Sequence, residues 1–446
     1  MKILNKVDLK QILLSERNVV WAYLIVFFID NYTELFLNIF LREALGLVYL
    51  WTLLIYIYHT FVTGKYRSGK YYISAQLFFI INIVLSFIYK VNYRFSILQD
   101  FASLVFFLFP CYGAVFGRWN ERLSIDFRNI MFFFEQVVFY TSLFSAVIIF
   151  TSSSFFQLGM EGYSETRAFY RTLYNSYNDI CFMAYTSIMI SLYFIHNRTG
   201  KIRWTGLLDQ NNMILHALNI LIEFFLLYAV QTRAVLLGAG VSILFVCMFK
   251  LKERFHISVK TILICGGAAF VIFVYIFAFS KYGTSRNFYY YLLRNGKSSL
   301  FELTSDELVT MFSSLLSGRF ELWEKSIELI LKSPIIGWGL KSTGFTTPDL
   351  PEWLQNTHNL FLNSMLYTGL IGTCALIVLL GIVFVQATRK TNRKTNALVA
   401  FLYGMLMCSM FEPCILYNWR AATVLFWVIA GYLACYEEKT EDIIHE

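Results

Sequence analysis

Four polar features lie between two hydrophobic segments of the chain, within residues 317–372: Arg319, Trp323, the turn motif Pro334-x-x-Gly337-x-Gly339 and the pair His358-Asn359. An imidazole can accept a proton near neutral pH. A guanidinium presents a planar fork of N–H donors that matches phosphate or carboxylate oxygens. Proline and closely spaced glycines end a helix and form a turn. These residue types could therefore hold an anion beside a group that accepts a proton.

Composition indicates that these residues belong to an integral membrane protein. Of the 446 residues, 57% are hydrophobic and 15% are charged, whereas charged residues make up about a quarter of an ordinary soluble domain. A helix needs about 20 apolar residues to cross a bilayer. Segments of that kind predict about twelve spans: 18–30, 44–61, 71–89, 97–117, 130–151, 178–197, 206–229, 234–251, 258–280, 359–387, 395–413 and 420–436. A kinked first span that runs on toward Phe40 remains an alternative.

The distribution of Lys and Arg predicts the orientation of these spans. Basic residues concentrate in alternate connections, for example 118–128 and 389–394, and such connections are normally cytoplasmic. We therefore expect both termini in the cytoplasm and no removable signal peptide. The predicted class is an all-α polytopic bundle, with spans 1–9 in residues 1–280, a large extracytoplasmic loop in 281–358, and spans 10–12 with a cytoplasmic tail in 359–446.

The predicted outer loop contains helical patterns of its own. A capping box, Thr304-x-x-Glu307, precedes one apolar face, and Pro334 ends a second helix. We expect both helices to lie at the outer membrane surface with their apolar sides toward lipid. A second outer loop, 152–177, could line the same vestibule. The apolar positions are Leu308, Met311, Phe312, Leu315 and Leu316 in the first helix, and Phe320, Trp323, Ile327 and Ile330 in the second.

A polar stripe crosses the seventh predicted span. Its members recur at alternating steps of three and four residues, and continuing these steps leads through Leu226 and Val230 to Arg233. Residues at this spacing share one helix face, and polar groups at membrane depth normally face the protein interior. Hydrogen bonding between helices is the favoured interpretation, ahead of a catalytic role. The stripe consists of Asp209, Asn212, His216, Asn219 and Glu223.

In their order and spacing, these features resemble the superfamily of O-antigen ligases and O-antigen or capsular polysaccharide polymerases. The resemblance rests on Gln231-Thr232-Arg233-Ala234 at a helix end and on the loop motifs that follow. Those motifs are Gly318-Arg319-x-x-x-Trp323, Pro334-x-x-Gly337-x-Gly339, and His358-Asn359-x-x-Leu362 leading into Gly369-x-x-Gly372.

The resemblance implies a metal-independent, inverting glycosyltransferase on the outer membrane face, without a cofactor. Its donor is a glycan linked to a polyprenyl diphosphate. Arg233 and Arg319 are the residues that the family pattern assigns to the diphosphate, and His358 would act as general base on the acceptor hydroxyl. His358 is the one histidine of six that we place in an outer loop. Further predicted contacts are Arg167, Arg171, Trp323, Asn359, Glu412 and Arg420.

Each assignment has a simpler alternative. Arg233 could extend toward lipid head groups, Arg319 could be a solvated loop charge, and His358 could cap the helix that starts near Asn359. The outer arginines other than Arg233 and Arg319 are more typical of ordinary interface positions. Glu412 has no predicted role beyond pairing with one of these further arginines, Arg167, Arg171 and Arg420.

Three classes of function remain. A polymerase that joins lipid-linked oligosaccharide repeats into a surface polysaccharide is preferred, and a ligase that moves a finished glycan to another acceptor is its close alternative. A lipid-linked oligosaccharide flippase would use the polar stripe as its pathway. A metal-dependent glycosyltransferase would use Asp30 and Glu34.

The polymerase hypothesis also predicts where the protein acts and what it contacts. We expect it in the bacterial cytoplasmic membrane, with the active site on the extracytoplasmic face. Predicted partners are the lipid-linked donor and acceptor, membrane lipid, and a flippase and a chain-length regulator of the same pathway. Nucleic acid is not among them, because the net charge of +8 is accounted for by the cytoplasmic connections.

Overall fold

Helices form most of the structure. The computed structural model describes residues 14–31, parts of 47–58, 69–93, 107–118, 127–151, 160–164, 167–170, 177–197, 209–230, 232–255, 304, 307, 319–339, 356–416 and 421–435. Helical residues occur within 47–58 and over 107–118. The other helices are α1 (Glu16–Asn31), α2 (Lys70–Tyr93), α3 (Phe127–Thr151), α4 (Tyr177–His196), α5 (Met213–Val230), α6 (Arg233–Phe255), α7 (Arg319–Lys332), α8 (Leu360–Arg389), α9 (Asn396–Ser409) and α10 (Ala421–Cys435).

The described helices confirm a polytopic helical membrane protein. Five stretches are long and apolar enough to cross a bilayer: Phe127–Val147, Asn178–His196, Met213–Val230, Arg233–Leu251 and Leu360–Arg389. Shorter apolar helices lie in α2, α9 and α10. Every helix named above except α7 coincides with a predicted span. The total of twelve spans and the cytoplasmic termini remain predictions, since segment 258–280 and the continuation of the first span toward Phe40 lie outside the described residues.

One short β-hairpin accompanies the helices. Strands β1 (Met160–Ser164) and β2 (Arg167–Tyr170) pair antiparallel, with Met160 opposite Tyr170 and Ser164 opposite Arg167. The hairpin lies in the predicted outer loop 152–177, where no strand was expected.

Small residues bring three helices of the core into close contact. A side chain at Gly238 of α6 would collide with the backbone of Gly404 in α9, and one at Gly404 would collide with the side chains of Ser242 and Tyr185. Such small-residue contacts let membrane helices approach closely without a hydrophobic driving force between them. The Ser242 hydroxyl donates to the carbonyl of Ala400 at 2.8 Å. Residues 238 and 242 thus face 404 and 400, so α6 and α9 run antiparallel.

Helix α8 is interrupted at Gly369, where φ is 60° and ψ is −161°. This conformation is accessible essentially to glycine alone. The interruption is paired with the Pro334–Gly339 turn, because the Leu370 amide donates to the Pro334 carbonyl at 2.8 Å and the Gly339 amide donates to the Tyr367 carbonyl at 2.9 Å. The loop therefore satisfies backbone groups that the broken helix leaves open.

The amphipathic helix predicted before Pro334 is confirmed as α7, but its apolar side is divided. Ile330 is buried, and with Leu366 and Tyr367 it forms a small hydrophobic cluster against α8. Phe320 and Ile327 are exposed. The face predicted to point toward lipid as a unit therefore lies partly against the protein. The Thr304–Glu307 capping box is present, and the helix predicted after it lies outside the described residues.

The polar stripe of the seventh predicted span needs a correction, because α5 begins only at Met213. Asn212 is not on the helix face: its side-chain oxygen accepts the amides of Ile214 and Leu215, as an N-terminal cap does. Asp209 precedes it in a turn and accepts the amide of Asn211. The local hydrogen bonding of these side chains starts the helix later than the periodic pattern predicted.

The predicted stripe also extended past the C-terminal end of α5, which is at Val230. Arg233 does not extend this face but is the first residue of α6. Within α5, His216, Asn219 and Glu223 are buried as predicted, and so are Leu226 and Val230.

Candidate active site

His358 lies in a tight polar turn immediately before α8. Its φ of 53° is the only positive value among the described residues other than glycine. A left-handed conformation in a bulky residue is uncommon and persists where surrounding contacts impose it. Here the His358 amide donates to the Asn356 side-chain oxygen at 2.8 Å. The backbone is therefore bent at the residue that the motifs assign as base.

Asn363, one turn into α8, fixes the rest of this turn. Its side-chain oxygen accepts the amide of Thr357 at 2.8 Å and the Thr357 hydroxyl at 2.7 Å. Its side-chain nitrogen donates to Asn356 at 2.9 Å. Both Thr357 and Asn363 are buried, so water competes little for these bonds. The turn is thereby tied to a helix and not left as a solvated loop.

The His358 imidazole is oriented by Glu412. Its Nδ1 lies 2.7 Å from the Glu412 Oε2. An ionised carboxylate only accepts hydrogen bonds, so Nδ1 carries the proton in the neutral ring and Nε2 keeps its lone pair. The His358 side chain is 38% exposed, whereas that of Glu412 is 5% exposed. The acceptor nitrogen can therefore be reached from outside while its orienting partner is shielded.

Arg319 shares the same carboxylate. Its Nη2 lies 3.6 Å from the Glu412 Oε2, which is an ion pair but is too long for a hydrogen bond. Arg319 is the first residue of α7 and is 22% exposed. It is therefore a partly buried charge at the site, unlike the solvated loop charge of the simpler alternative. The structure thus gives Glu412 an arginine partner other than Arg167, Arg171 and Arg420, for which a pairing was predicted.

Trp323 and Asn359 hold the surrounding elements together. Trp323, one turn after Arg319, donates its indole N–H to the Thr357 carbonyl at 2.8 Å. Asn359 is the N-terminal cap of α8, since its side-chain oxygen accepts the amides of Phe361 and Leu362. Its side-chain nitrogen donates to the carbonyl of Met410 at 3.0 Å. The capping role considered for His358 thus belongs to Asn359, which also joins the start of α8 to the end of α9.

Arg233 lies at the same end of the bundle. Gly238 contacts Gly404 and Cys408 of the antiparallel α9, and Arg233 begins α6 five residues earlier, roughly 7.5 Å along the axis. Glu412 follows Cys408 by one turn, its amide donating to the Cys408 carbonyl at 2.9 Å. Both Arg233 and Glu412 therefore lie beyond the contact at Cys408. Arg233 and Glu412 are thus at the same end of the helical bundle.

The remaining predicted contacts are three arginines. Arg167 begins β2 and is opposite Ser164 in the hairpin. Arg171 and Arg420 lie outside the described residues, so their place relative to His358 stays a prediction.

Sequence reasoning missed the residues that position the base. Asn356, Thr357 and Asn363 are spaced so that the polar side chains before a helix can bond to its first turn, a signal that a search for local side-chain-to-backbone motifs could find. Sequence reasoning also did not predict that Glu412 contacts His358. The two are 54 residues apart, and no periodic pattern relates them.

A second polar cluster is buried between α3, α4 and α5. The Glu135 Oε1 lies 2.7 Å from the His216 Nδ1 and also accepts a hydrogen bond from Ser191. Asn219 donates to Ser187 at 2.8 Å, and Ser142 donates to Glu223 at 2.9 Å. These contacts give the predicted stripe its hydrogen bonds between helices. Glu135 was not predicted, although a lone acid within an apolar span is itself a signal.

Comparison with known proteins agrees with the loop motifs. Residues 218–377 match the family described as O-antigen ligase, a range that contains Arg233, Arg319 and His358 but ends before Glu412. The chain is also 25% identical over 127 residues to the ComP-specific O-oligosaccharyltransferase of Acinetobacter baylyi.

That alignment includes 27% of this chain and 22% of the relative, so it spans about a fifth of the relative's length. The predicted resemblance to the O-antigen ligase superfamily is thereby confirmed over residues 218–377.

Proposed function

We propose that the protein is a membrane glycosyltransferase that moves a glycan from a polyprenyl diphosphate to an acceptor hydroxyl. One observation carries the proposal: the contact between His358 and the buried carboxylate of Glu412, at 2.7 Å. A histidine oriented by a carboxylate, with its second nitrogen left to accept a proton, is the arrangement of a general base. The family match and the ion pair of Arg319 with Glu412 support a transfer reaction at this position.

The proposed reaction is a single displacement. The acceptor hydroxyl oxygen forms a bond to the anomeric carbon of the donor glycan while the bond from that carbon to the diphosphate oxygen breaks. The hydroxyl proton passes to the Nε2 of His358, and the bonding electron pair leaves with the diphosphate. Attack from the face opposite the leaving group inverts the anomeric centre.

Arginine is suited to the leaving group. A departing diphosphate gains negative charge, and a fixed guanidinium stabilises that charge without reorganisation. In the structure Arg319 is paired with Glu412, at 3.6 Å. Because the guanidinium has five N–H donors, it can keep this contact and still present donors to phosphate oxygens. We assign Arg233, at the same end of the bundle, as the second diphosphate contact.

For the acceptor, we propose a second lipid-linked oligosaccharide, which makes the protein a polymerase of a surface polysaccharide. A ligase or oligosaccharyltransferase is the second candidate, since the matching family is described as O-antigen ligase and the relative is an O-oligosaccharyltransferase. Both reactions use the same donor chemistry and differ in the molecule that supplies the hydroxyl. We propose further that the protein acts in the bacterial cytoplasmic membrane with this site outside, in contact with a flippase and a chain-length regulator.

Reconstitution with a defined lipid-linked repeat tests both the proposed transfer reaction and the proposed acceptor. Purified protein in lipid nanodiscs is given the repeat alone, and products are separated by size. We expect a ladder of multiples with the wild type and none with His358→Ala, although the variant is folded and inserted. Transfer only when a non-glycan-lipid acceptor is added would replace the polymerase with the ligase. Wild-type ladders from His358→Ala would contradict the role of the base.

A further inference from the structure

Helix α7 carries an apolar stripe that the fold leaves uncovered. Phe320, Ile327 and Leu331 are between 45% and 70% exposed. At 100° per residue their positions fall within about 40° of one another. They form a narrow line along the helix and not a scattered set, so the stripe is a continuous apolar surface.

This stripe is distinct from the two other faces of α7. The buried Ser326 and Ile330 face α8. The face farthest from α8 is charged and carries Glu321, Glu324, Lys325, Glu328 and Lys332. Packing of α7 on α8 therefore does not bury the stripe. A helix face in contact with water alone is expected to carry polar side chains, as the charged face of α7 does.

At its C-terminal end, after Leu331, the stripe continues onto α8, which is long and apolar enough to span a membrane. Ile335, in the turn after α7, is 60% exposed, and its carbonyl accepts the amide of Ile371 at 3.1 Å. Leu370 and Ile371 are exposed too, and they begin the exposed apolar face of α8 that continues through Ile377, Val378 and Val385. That face belongs to a helix apolar enough to cross the membrane. The stripe is thus continuous with a lipid-facing surface.

At its N-terminal end, at Phe320, the stripe reaches the candidate active site. Phe320 directly follows Arg319, whose guanidinium faces Glu412 and, through it, His358. From Arg319 to Leu331 the helix rises about 18 Å. The Arg319 guanidinium lies at one end of the stripe, the exposed apolar face of α8 lies at the other, and apolar side chains lie between them. This surface has the complementarity required by an anionic head group on one long hydrocarbon chain.

We propose that the stripe binds the first part of the prenyl chain of the lipid-linked donor and guides its diphosphate to Arg319. The inference rests on the proposed function and adds the place where the lipid part of the donor binds. Ordinary bilayer lipid would find similar apolar surface on any exposed helix. The position of the stripe directly beside the site cation favours the donor chain as its occupant.

A comparison of donors with short and long prenyl chains tests the proposal by turnover. The test variant is Ile327→Ser with Leu331→Ser, in the full chain in nanodiscs. The control is Leu221→Ser with Tyr228→Ser, two exposed positions on α5 away from the stripe. In the wild type and the control we expect a lower KM for the long-chain donor. In the test variant the KM for that donor should rise roughly tenfold with kcat unchanged, and the preference for the long chain should disappear.

Two kinetic results would overturn the proposal. One is a chain-length preference in the test variant equal to that of the wild type. The other is an equal loss of preference in the control, which would mean that any polar change on the exposed surface has this effect.

A binding readout that needs no turnover separates this inference from the proposed function. A photoreactive prenyl diphosphate without a glycan is crosslinked to the wild type, and the labelled peptides are mapped. Labelling within residues 319–335, competed by unlabelled prenyl diphosphate and not by phosphatidylglycerol, supports the stripe even if no glycan transfer occurs. Labelling elsewhere, or equal competition by phosphatidylglycerol, refutes it even if transfer is observed.

Discussion

Glu412 connects the two charged residues that the loop motifs predict. It contacts the His358 imidazole at 2.7 Å and lies 3.6 Å from the Arg319 guanidinium. Its carboxylate is buried, with a side-chain exposure of 5%, so water screens these two contacts little. We propose that this carboxylate determines which imidazole nitrogen holds the proton, and that it thereby acts through His358 and not on the substrate.

We expect Glu412→Gln to lower kcat by roughly 10²–10⁴-fold, because an amide can hold the imidazole in the wrong tautomer and cannot stabilise its protonated form. Glu412→Asp should retain more activity than Glu412→Gln, since it keeps the charge. The measurement is the rate of glycan transfer by purified variants that have the thermal stability of the wild type. In the His358→Ala background, Glu412→Gln should cause no further loss, because residues that act as a unit are not additive. An additional loss there would show that Glu412 acts independently of His358.

Arg319 could serve the donor diphosphate or only hold Glu412, and a second cycle distinguishes the two. We expect Arg319→Ala to lower kcat/KM for the donor strongly and Arg319→Lys to restore it in part, because an ammonium cannot form the bidentate contact. In the Glu412→Gln background the loss caused by Arg319→Ala should persist, as for independent sites.

Lys325→Ala is the matched control, since Lys325 is an exposed cation on the charged face of α7. It should leave donor kinetics unchanged. If Arg319→Ala has no effect once Glu412 is Gln, the arginine acts only through the carboxylate.

At the scale of elements, the site depends on the pairing of the Pro334–Gly339 turn with the interruption in α8. A Cβ at Gly369 would collide with the Ile335 carbonyl, and one at Gly337 would collide with the backbone at Gly369. The Trp338 amide donates a hydrogen bond to the Leu366 carbonyl at 2.7 Å, and its indole N–H donates one to the Leu329 carbonyl at 2.8 Å. Gly337 of the turn motif and Gly369 of α8 thus allow the two backbones to approach closely, which fixes α7 and its Arg319 relative to α8.

Gly369→Ala should therefore destabilise the protein by at least about 1–3 kcal/mol, the cost of a conformation that alanine disfavours, with the collision added. Gly381→Ala in the same helix is the control, because a Cβ there meets nothing within 4 Å. The control should be neutral or slightly stabilising. Thermal unfolding of the detergent-solubilised variants measures the difference. Equal midpoints for the two variants would contradict the proposed pairing.

The cluster around Glu135 is a separate element-scale feature. It connects α3 to α4 and α5 through Ser191 and His216. The Glu135 Oε2 and the Glu223 Oε1 are buried with no hydrogen-bond partner among the described residues. Such groups are costly unless paired, so the contacts that do form matter for stability. Interhelical support is the role that these contacts favour, and a flippase pathway would need them to change partners during transport.

We expect Glu135→Ala to destabilise the fold by about 3–5 kcal/mol, because the Nδ1 of the buried His216 loses the carboxylate that it contacts. Glu135→Gln should cost less, since it keeps an acceptor oxygen. Glycan transfer per folded molecule should be unchanged in both variants, whereas lost transfer at normal stability would indicate a direct functional role. Glu324→Ala on the exposed face of α7 is the control and should stay within about 0.5 kcal/mol of the wild type.

At the scale of the whole molecule, the sequence was informative where a single physical rule decides the outcome. Hydropathy located the described membrane helices, and proline with glycine located the turn after α7. The rule of helical periodicity failed at Asp209 and Asn212, where side chains bond to the local backbone instead. It could not foresee the contact of His358 with Glu412, because this depends on how α8 and α9 meet. The division of the apolar side of α7 depends on packing against α8 in the same way.

The described contacts also divide the bundle into two ends. At one end Asn359 bonds to the Met410 carbonyl and Thr232 to Asn178. At the other, the Asn197 side chain donates to the Lys394 carbonyl at 2.7 Å. The second end holds the basic connection Arg389–Lys394, which the distribution of positive charge predicts to be cytoplasmic. The candidate active site at the first end would then face outward.

Thiol labelling in intact cells tests this orientation. Cysteines are introduced one at a time at Glu324, on the exposed face of α7, and at Arg393, in the connection between α8 and α9. Four of the eight native cysteines, Cys247, Cys265, Cys374 and Cys435, are first replaced by serine, and the other four are buried. A membrane-impermeant reagent should label Glu324→Cys in intact cells and Arg393→Cys only after permeabilisation. The opposite pattern would place the site in the cytoplasm, where a donor exposed on the outer leaflet could not reach His358. Labelling of both positions in permeabilised cells confirms that each cysteine is accessible, so the result depends on sidedness alone.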